Sequence, residues 1–296
     1  MQLAVEVWGG TYEQICRTAQ LAEARGVDGF YYGESLTDLD LDAWQVLAGL
    51  AGCTKSLSLG PVITYLLPQY RSVALLAKQA TTLQEMSAGR LVFRTGCGGG
   101  RKHAASWWDP YGVDYPRAAA RVDALAEGLE ILCSLWTTGS ARSAGPHFPY
   151  AGGAQRLPRR RIPITLAASR PRMLRLAARH ADICELSYLE LRSYERLRSE
   201  VERHAMGRSL RFSLEVDGFV ARDERRVAAL RDQIGRMRGH AAGPVWDRSL
   251  NGTPPQLRAQ LRRYRDAGVD QLLVALDDPF DRDAVELLAS AMAALR

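Results

Sequence analysis

The sequence predicts an α/β protein, a single (β/α)8 barrel spanning residues 1–296. Strand-like runs alternate with amphipathic helical stretches along the whole chain, and there are eight such strands, each with a helix behind it. The position of the glycine cluster points the same way. Gly96, Gly98, Gly99 and Gly100 follow the fourth strand, whereas a doubly wound nucleotide-binding sheet carries its cluster after the first and spaces its third glycine differently. Length agrees as well: 296 residues with 47% hydrophobic content can bury one large core, and no repeat or composition break marks a second domain.

Residues 3–7 form the first strand and 11–25 the helix after it, with Ile15, Ala19 and Ala22 on one face and Gly26 as the closing cap. The second strand covers 27–32 and its helix 42–53; the third covers 57–63 and its helix 71–86. The fourth strand, 91–95, runs straight into the glycines. A long amphipathic helix, 117–136, carries Val122, Leu125, Leu129 and Leu132 on its apolar face. The remaining strands cover 162–168, 182–186, 212–220 and 271–275, with helices over 170–179, 192–206, 224–238, 255–267 and 282–295. Two connections are too long to be simple links. One is 97–116, with Trp107, Trp108, Tyr111 and Tyr115; the other is a Gly- and Pro-rich insertion at about 137–161, ending in Arg159, Arg160 and Arg161. Both are expected as loop insertions at the C-terminal mouth or on the outer wall, where long loops cover ligands.

The net charge of +6 is almost wholly guanidinium, because lysine is nearly absent. The arginines are scattered over helices, which argues against a nucleic-acid partner and allows a mild preference for anionic ligands. Cys16, Cys53, Cys97, Cys133 and Cys184 lie far apart with no C-x-x-C pair, and read as reduced, buried thiols without a metal. The chain opens directly on a strand and has no apolar run long enough to span a bilayer. A cytoplasmic protein with no membrane partner is expected, acting on a small-molecule substrate as a homodimer.

Alternation within the strands decides which side chains face the barrel axis. Leu3, Val5 and Val7 oppose Ala4 and Glu6; Val92 and Arg94 oppose Leu91, Phe93 and Thr95; Ser213, Glu215 and Asp217 oppose Phe212, Leu214 and Val216. If the apolar sets meet the helices, then Glu6, Arg94 and Glu215 point inward. Buried charges persist when paired, so Arg94 is expected to bridge carboxylates, with a catalytic acid near the mouth as the other reading.

Several runs carry a resemblance when taken together, in their order and spacing. They are Ser87-Ala-Gly-Arg-Leu-Val-Phe-Arg-Thr-Gly-Cys-Gly98, the helix 117–136, Arg161-Ile-Pro-Ile-Thr-Leu-Ala-Ala-Ser169 and Leu176-Ala-Ala-Arg-His-Ala-Asp182. Gly252-Thr-Pro-Pro255 and Leu261-Arg-Arg-Tyr-Arg-Asp-Ala-Gly-Val-Asp270 continue the series. Over nearly its whole length the chain resembles the luciferase-like flavin- and deazaflavin-dependent oxidoreductases. The resemblance implies a barrel with an insertion and a flavin-type ring over its mouth. Behind the ring it implies a bulged third strand, here Pro61, Val62, Ile63 and Thr64, often with a non-proline cis peptide. It also implies a cofactor phosphate held by the turn after the fourth strand (Gly96, Cys97, Gly98) and by the start of the fifth helix (Ser169, Arg170, Met173). Unpaired N–H groups at that helix start, together with the Arg170 charge, suit a phosphate.

The chain departs from the family pattern in two places. Many deazaflavin-using members carry Asp-His after the second strand, where this chain has Glu34 and Ser35; a sugar-phosphate dehydrogenase branch carries a glutamate near Gly99. Alcohol oxidation by that acid–base pair is therefore not expected. What remains is a ring site with aromatic walls (Trp8, Tyr32, Tyr65, Trp107, Trp108). Glu34 is the carboxyl candidate for a proton donor, or else the partner of a nearby arginine, with Tyr65 and His103 as rival donors. The expected activity is reduction of a C=C or C=N bond in a small organic molecule by reduced coenzyme F420, a deazaflavin. The alternative is an FMN-dependent monooxygenase.

Overall fold

Ten strands build the sheet: β1 (Gln2–Val7), β2 (Gly29–Tyr32), β3 (Ser58–Pro61), β4 (Thr64–Tyr65), β5 (Phe93–Gly96), β6 (Ile164–Ala167), β7 (Ile183–Ser187), β8 (Arg211–Val220), β9 (Leu250–Gly252) and β10 (Gln271–Leu276). The computed structural model describes residues 1–295, the side chain of His103 excepted. Every ladder is parallel, in the order β3-β2-β1-β10-β8-β7-β6-β5-β4, with the short β9 added beside β8. The ends of this path meet: Leu59 bridges Leu91, its N–H donating to the Arg90 carbonyl at 2.9 Å and its carbonyl accepting from Val92 at 2.8 Å. β3 and β4 are the lower and upper halves of one barrel strand, so the eightfold count holds.

The helices are α1 (Tyr12–Ala24), α2 (Ala43–Cys53), α3 (Val73–Met86), α4 (Arg101–Ala104), α5 (Ala118–Thr138), α6 (Pro171–His180), α7 (Leu191–His204), α8 (Glu224–Arg238), α9 (Ala242–Asp247), α10 (Pro254–Asp266) and α11 (Arg282–Ala293). Their starts are written locally. Thr11 and Gln14 form a reciprocal capping box on α1, Asp42 caps α2 and Asp281 caps α11. The short α4 and α9 and the three-residue β9 lie in connections where no hydrophobic period exists to announce them.

Strand alternation sorts the core into two layers. Leu3, Val5, Phe30, Phe93, Leu166 and Leu214 meet the helices, while Ala4, Tyr31, Val62, Val92, Ile183 and Leu273 form a separate inner cluster on the barrel axis. The third strand breaks between its halves, at Val62 and Ile63. The peptide bonds of the described residues are all trans, so the expected cis peptide is not what bends this strand; Ile63 turns it instead, at φ 93°. A β-branched residue in the left-handed region is strained and persists only where its surroundings enforce it.

The two long connections separate in space. The one after β5 stays at the mouth. The insertion after α5 begins at the opposite end, because it follows a helix, and returns along the outer wall over α3 and α5. There Glu127 accepts from the backbone of His147 and Phe148, and Gln155 donates to the Ala74 carbonyl at 2.8 Å. It is therefore not a mouth insertion.

Candidate active site

At the C-terminal ends of the strands a cavity of about 800 Å³ opens, and its floor is charged. Glu6, Glu185 and Glu215 all reach it from β1, β7 and β8. Arg94, fully buried below, places Nη2 2.5 Å from Glu185 Oε2 and lies 4.2 Å from the Tyr31 ring centroid. Ser213 Oγ adds a bond to the same Glu185 oxygen at 3.2 Å. The inward set thus includes Glu6, Arg94 and Glu215 as the alternation predicts. The ionic partner of Arg94, however, is Glu185, which alternation in the sixth strand also points inward.

Glu6 and Glu215 face each other. Trp8 Nε1 donates to Glu6 Oε1 at 2.5 Å, while Glu6 Oε2 is buried with no partner among the described residues. Burial first, then the Glu215 charge, push Glu6 well above the usual carboxylate range. Tyr188, itself at φ 55°, is raised by burial and then by the Glu215 and Glu6 charges. Trp8, Glu6, Glu215 and Tyr188 thus gather on the floor, and burial beside a second carboxyl favours the protonated form of Glu6.

The walls are apolar. Val62 and Ile63 line one side, placed there by the break in the third strand; Trp8, Trp107 and Val122 line others, the two indoles 5.6 Å apart. Above them Cys97, Gly98 and Gly99 form the glycine turn. Gly98 sits at φ +73°, and a Cβ on it would fall 2.3 Å from the Tyr115 hydroxyl and 2.5 Å from the Tyr65 ring, so the turn admits no side chain there. Arg121 of α5 fixes the turn from behind. It donates to the carbonyls of Cys97 (2.7 Å), Gly99 (2.8 Å) and Pro116, and lies 4.1 Å from the Tyr115 ring centroid. Sequence reading passes over Arg121; the signal available was a charge on the edge of an otherwise apolar helix face.

The rim is basic. Ala168, Ser169, Arg170, Pro171, Arg172 and Met173 curve over the cavity as β6 hands over to α6. The first turn of a helix presents N–H groups that it cannot satisfy itself. Arg172 is tied to Asp123 at 2.5 Å, whereas Arg170 is exposed.

Of the site residues expected from sequence, Val62, Ile63, Tyr65, Cys97, Gly98, Ser169, Arg170 and Met173 come together on this cavity. Gly96 lies one step below, its would-be Cβ 3.1 Å from that of Ala167, and Thr64 is buried behind the wall. Trp108 and Tyr32 are also behind it, the Trp108 ring tilted 56° to that of Tyr65 at 4.8 Å and Tyr32 bonded to the Gly9 carbonyl at 3.3 Å. Glu34 does not line the cavity. It is buried in a pair with Arg71 at 2.6 Å, with Thr64 Oγ1 at 3.0 Å and Trp44 Nε1 at 3.2 Å as further donors. Burial pushes Glu34 up while Arg71 holds it down, and the same contact raises Arg71. Three donors at bonding distance make this an ion pair. Burial raises Tyr65 far above the ordinary phenol range, so it stays neutral. The side chain of His103 lies outside the described residues.

The cavity suits a flat, apolar ring with a phosphate arm: its walls are hydrophobic, its rim cationic, and its glycine turn leaves room where a side chain would intrude. A family model described as luciferase-like monooxygenase matches residues 3–271. A phthiodiolone/phenolphthiodiolone dimycocerosates ketoreductase of Mycobacterium kansasii is 35% identical over 153 residues, 49% of this chain and 38% of its own length. A 5,10-methylenetetrahydromethanopterin reductase of Archaeoglobus fulgidus is 29% identical over 171 residues, 58% of this chain and 48% of its own. The chain thus spans less than half the length of these curated relatives. Among solved structures, an F420-dependent secondary alcohol dehydrogenase in complex with an F420-acetone adduct superposes with a TM-score of 0.83 at 17% identity, covering 100% of this chain and 99% of the other. At that identity the likeness speaks for the fold. The chain belongs to the luciferase-like monooxygenase family of oxidoreductases.

Proposed function

We propose that this protein uses reduced coenzyme F420 to deliver a hydride to a C=C or C=N bond of a small organic molecule. The observation that carries the reading is the Glu6–Glu215 carboxyl pair on the floor of an apolar, cofactor-sized cavity. The deazaflavin, when bound, supplies the hydride; the chain must then supply a proton to the atom left with negative charge. Glu6, which lines the cavity floor with Oε1 held by Trp8, does this. Burial, with Glu215 opposite, favours the protonated form of Glu6, and Arg94 below is paired with Glu185. Val62, Ile63, Trp107 and Val122 exclude water around the reacting atoms. Ser169, Arg170 and the first turn of α6 would hold the phosphate, with the Gly98 turn beside them at the end of the neighbouring strand. The reductase names of both relatives, and F420 in that of the structural neighbour, support the reductive direction and this cofactor.

The second reading, an FMN-dependent monooxygenase, draws on the description of the family model. Side-by-side absorbance and fluorescence titrations with F420 and FMN, followed by turnover with and without oxygen, separate the two. Tighter binding of F420 and oxygen-independent turnover are expected. Strict dependence on oxygen with reduced FMN would overturn the reductase reading.

A further inference from the structure

Far from the cavity, on the outer wall, α1 and α2 bring two thiols together. Cys53, the last residue of α2, donates its S–H to Cys16 Sγ of α1 at 3.5 Å, and both side chains are half-buried. This is the one thiol–thiol contact among the described residues. The approach is fixed on either side. Gly49 lies one turn before Cys53, and a Cβ there would fall 2.1 Å from the Tyr12 hydroxyl, so glycine is what lets the helices come this close. Beyond the pair, Glu23 of α1 accepts from the backbone of Lys55 (2.7 Å), Ser56 (2.5 Å) and Leu57 (3.2 Å), tying down the chain that leaves α2. Gln20 of α1 also donates to the Cys53 carbonyl at 3.3 Å.

We propose that Cys16 and Cys53 are a redox-active pair which a hydroperoxide closes to an intramolecular disulfide joining α1 to α2. The two sulfurs, 3.5 Å apart, have only a short way to close to the bond length of about 2.05 Å. Cys16 accepts the Cys53 S–H and is the attacking sulfur. As thiolate it takes one peroxide oxygen; the O–O bond breaks, leaving a sulfenic acid on Cys16 and, from the rest of the peroxide, water or an alcohol. Cys53 Sγ then attacks the Cys16 sulfur, the S–S bond forms, and the hydroxyl departs as water with the Cys53 proton. The two thiols lose two electrons in all, and the peroxide gains them. Burial, then Cys16, push the Cys53 thiol up to about 11, which makes the second step slow and keeps the pair reduced until peroxide is sustained. Cys97, Cys133 and Cys184 serve as internal controls.

The test uses the full chain. It is incubated with hydrogen peroxide, quenched, denatured and treated with N-ethylmaleimide, then weighed intact and mapped by peptide. Three of the five thiols should be blocked, with a peptide linked through Cys16 and Cys53 and full reversal by dithiothreitol. Before blocking, the oxidised chain should be lighter than the reduced one by about 2 Da. Cys16→Ser should retain its four remaining thiols through the same treatment. Five blocked thiols in the unaltered chain, oxidation confined to Cys97 or Cys133, or a link between two chains would each overturn the assignment, and the mapping does not depend on how the variant folds.

Discussion

Glu6 is a carboxyl with one oxygen held by an indole, the other without a partner, and a second carboxyl opposite. A buried acid in that position keeps its proton, and a proton kept beside a cavity can be given away. Glu6→Gln preserves shape, can still accept from Trp8 and can donate to Glu215, but has no proton to give. Turnover should fall by about 10²-fold or more with cofactor affinity unchanged; steady-state rates alongside a binding titration check this. Glu34 makes the contrast. Its glutamine variant would leave Arg71 buried without a counter-charge, so a stability loss of about 3–5 kcal/mol is expected, while the enzyme that remains folded keeps turnover within a few-fold. Denaturant unfolding beside active-site-normalised kinetics reads both. A loss of turnover in Glu34→Gln without a loss of stability would return the donor role to Glu34.

At the scale of elements, the glycine turn and the start of α6 lie side by side on the cavity rim, because β5 and β6 pair with Gly96 opposite Ala167. Arg170 stands at the N-terminal boundary of α6, where the helix dipole and a guanidinium both favour an anion. Arg170→Ala should weaken cofactor binding by about tenfold or more, and the loss should shrink as salt is raised. Equal affinity for the variant at fixed salt would remove Arg170 from the site. Much of this arrangement was legible in the sequence, because strand alternation and the strand-to-glycine handover are local properties of the chain. Alternation placed Glu6, Arg94 and Glu215 on the axis correctly, since a period of two leaves no other choice once the apolar face is known. Which charges pair was not legible. Arg94 meets Glu185 91 residues away, and Arg71 reaches Glu34 from 37 residues away; only closure of the barrel brings them together. Arg121 was missed for the same reason, its three carbonyl partners being set by the fold of the turn.

For the whole molecule, the charged interior governs how stability responds to pH. On the acid side, burial pushes Glu23 up, but the N–H groups of Ser56 and Lys55 outweigh it and hold the carboxyl below its ordinary value. His180 is likewise lowered, by burial and by Arg179. Both contributions are present above the ordinary pKa and are lost as pH falls through the folded one. Glu6 and Glu185 behave oppositely. Their folded values lie above the ordinary glutamate value of 4.5, so their contribution is whole below that pH and is lost as pH rises through the raised values. Across that window a single such carboxyl costs on the order of 1 kcal/mol per pH unit, or about 2 °C in melting temperature for a chain of this size. Glu6→Gln should match the unaltered protein below the ordinary carboxylate range and become the more stable of the two as pH rises, because its amide stays neutral. Melting curves collected from acid to alkaline pH should therefore diverge on the alkaline side only. Parallel curves would mean that Glu6 titrates in the folded barrel as it does in water, and would withdraw the retained proton on which the proposed chemistry depends.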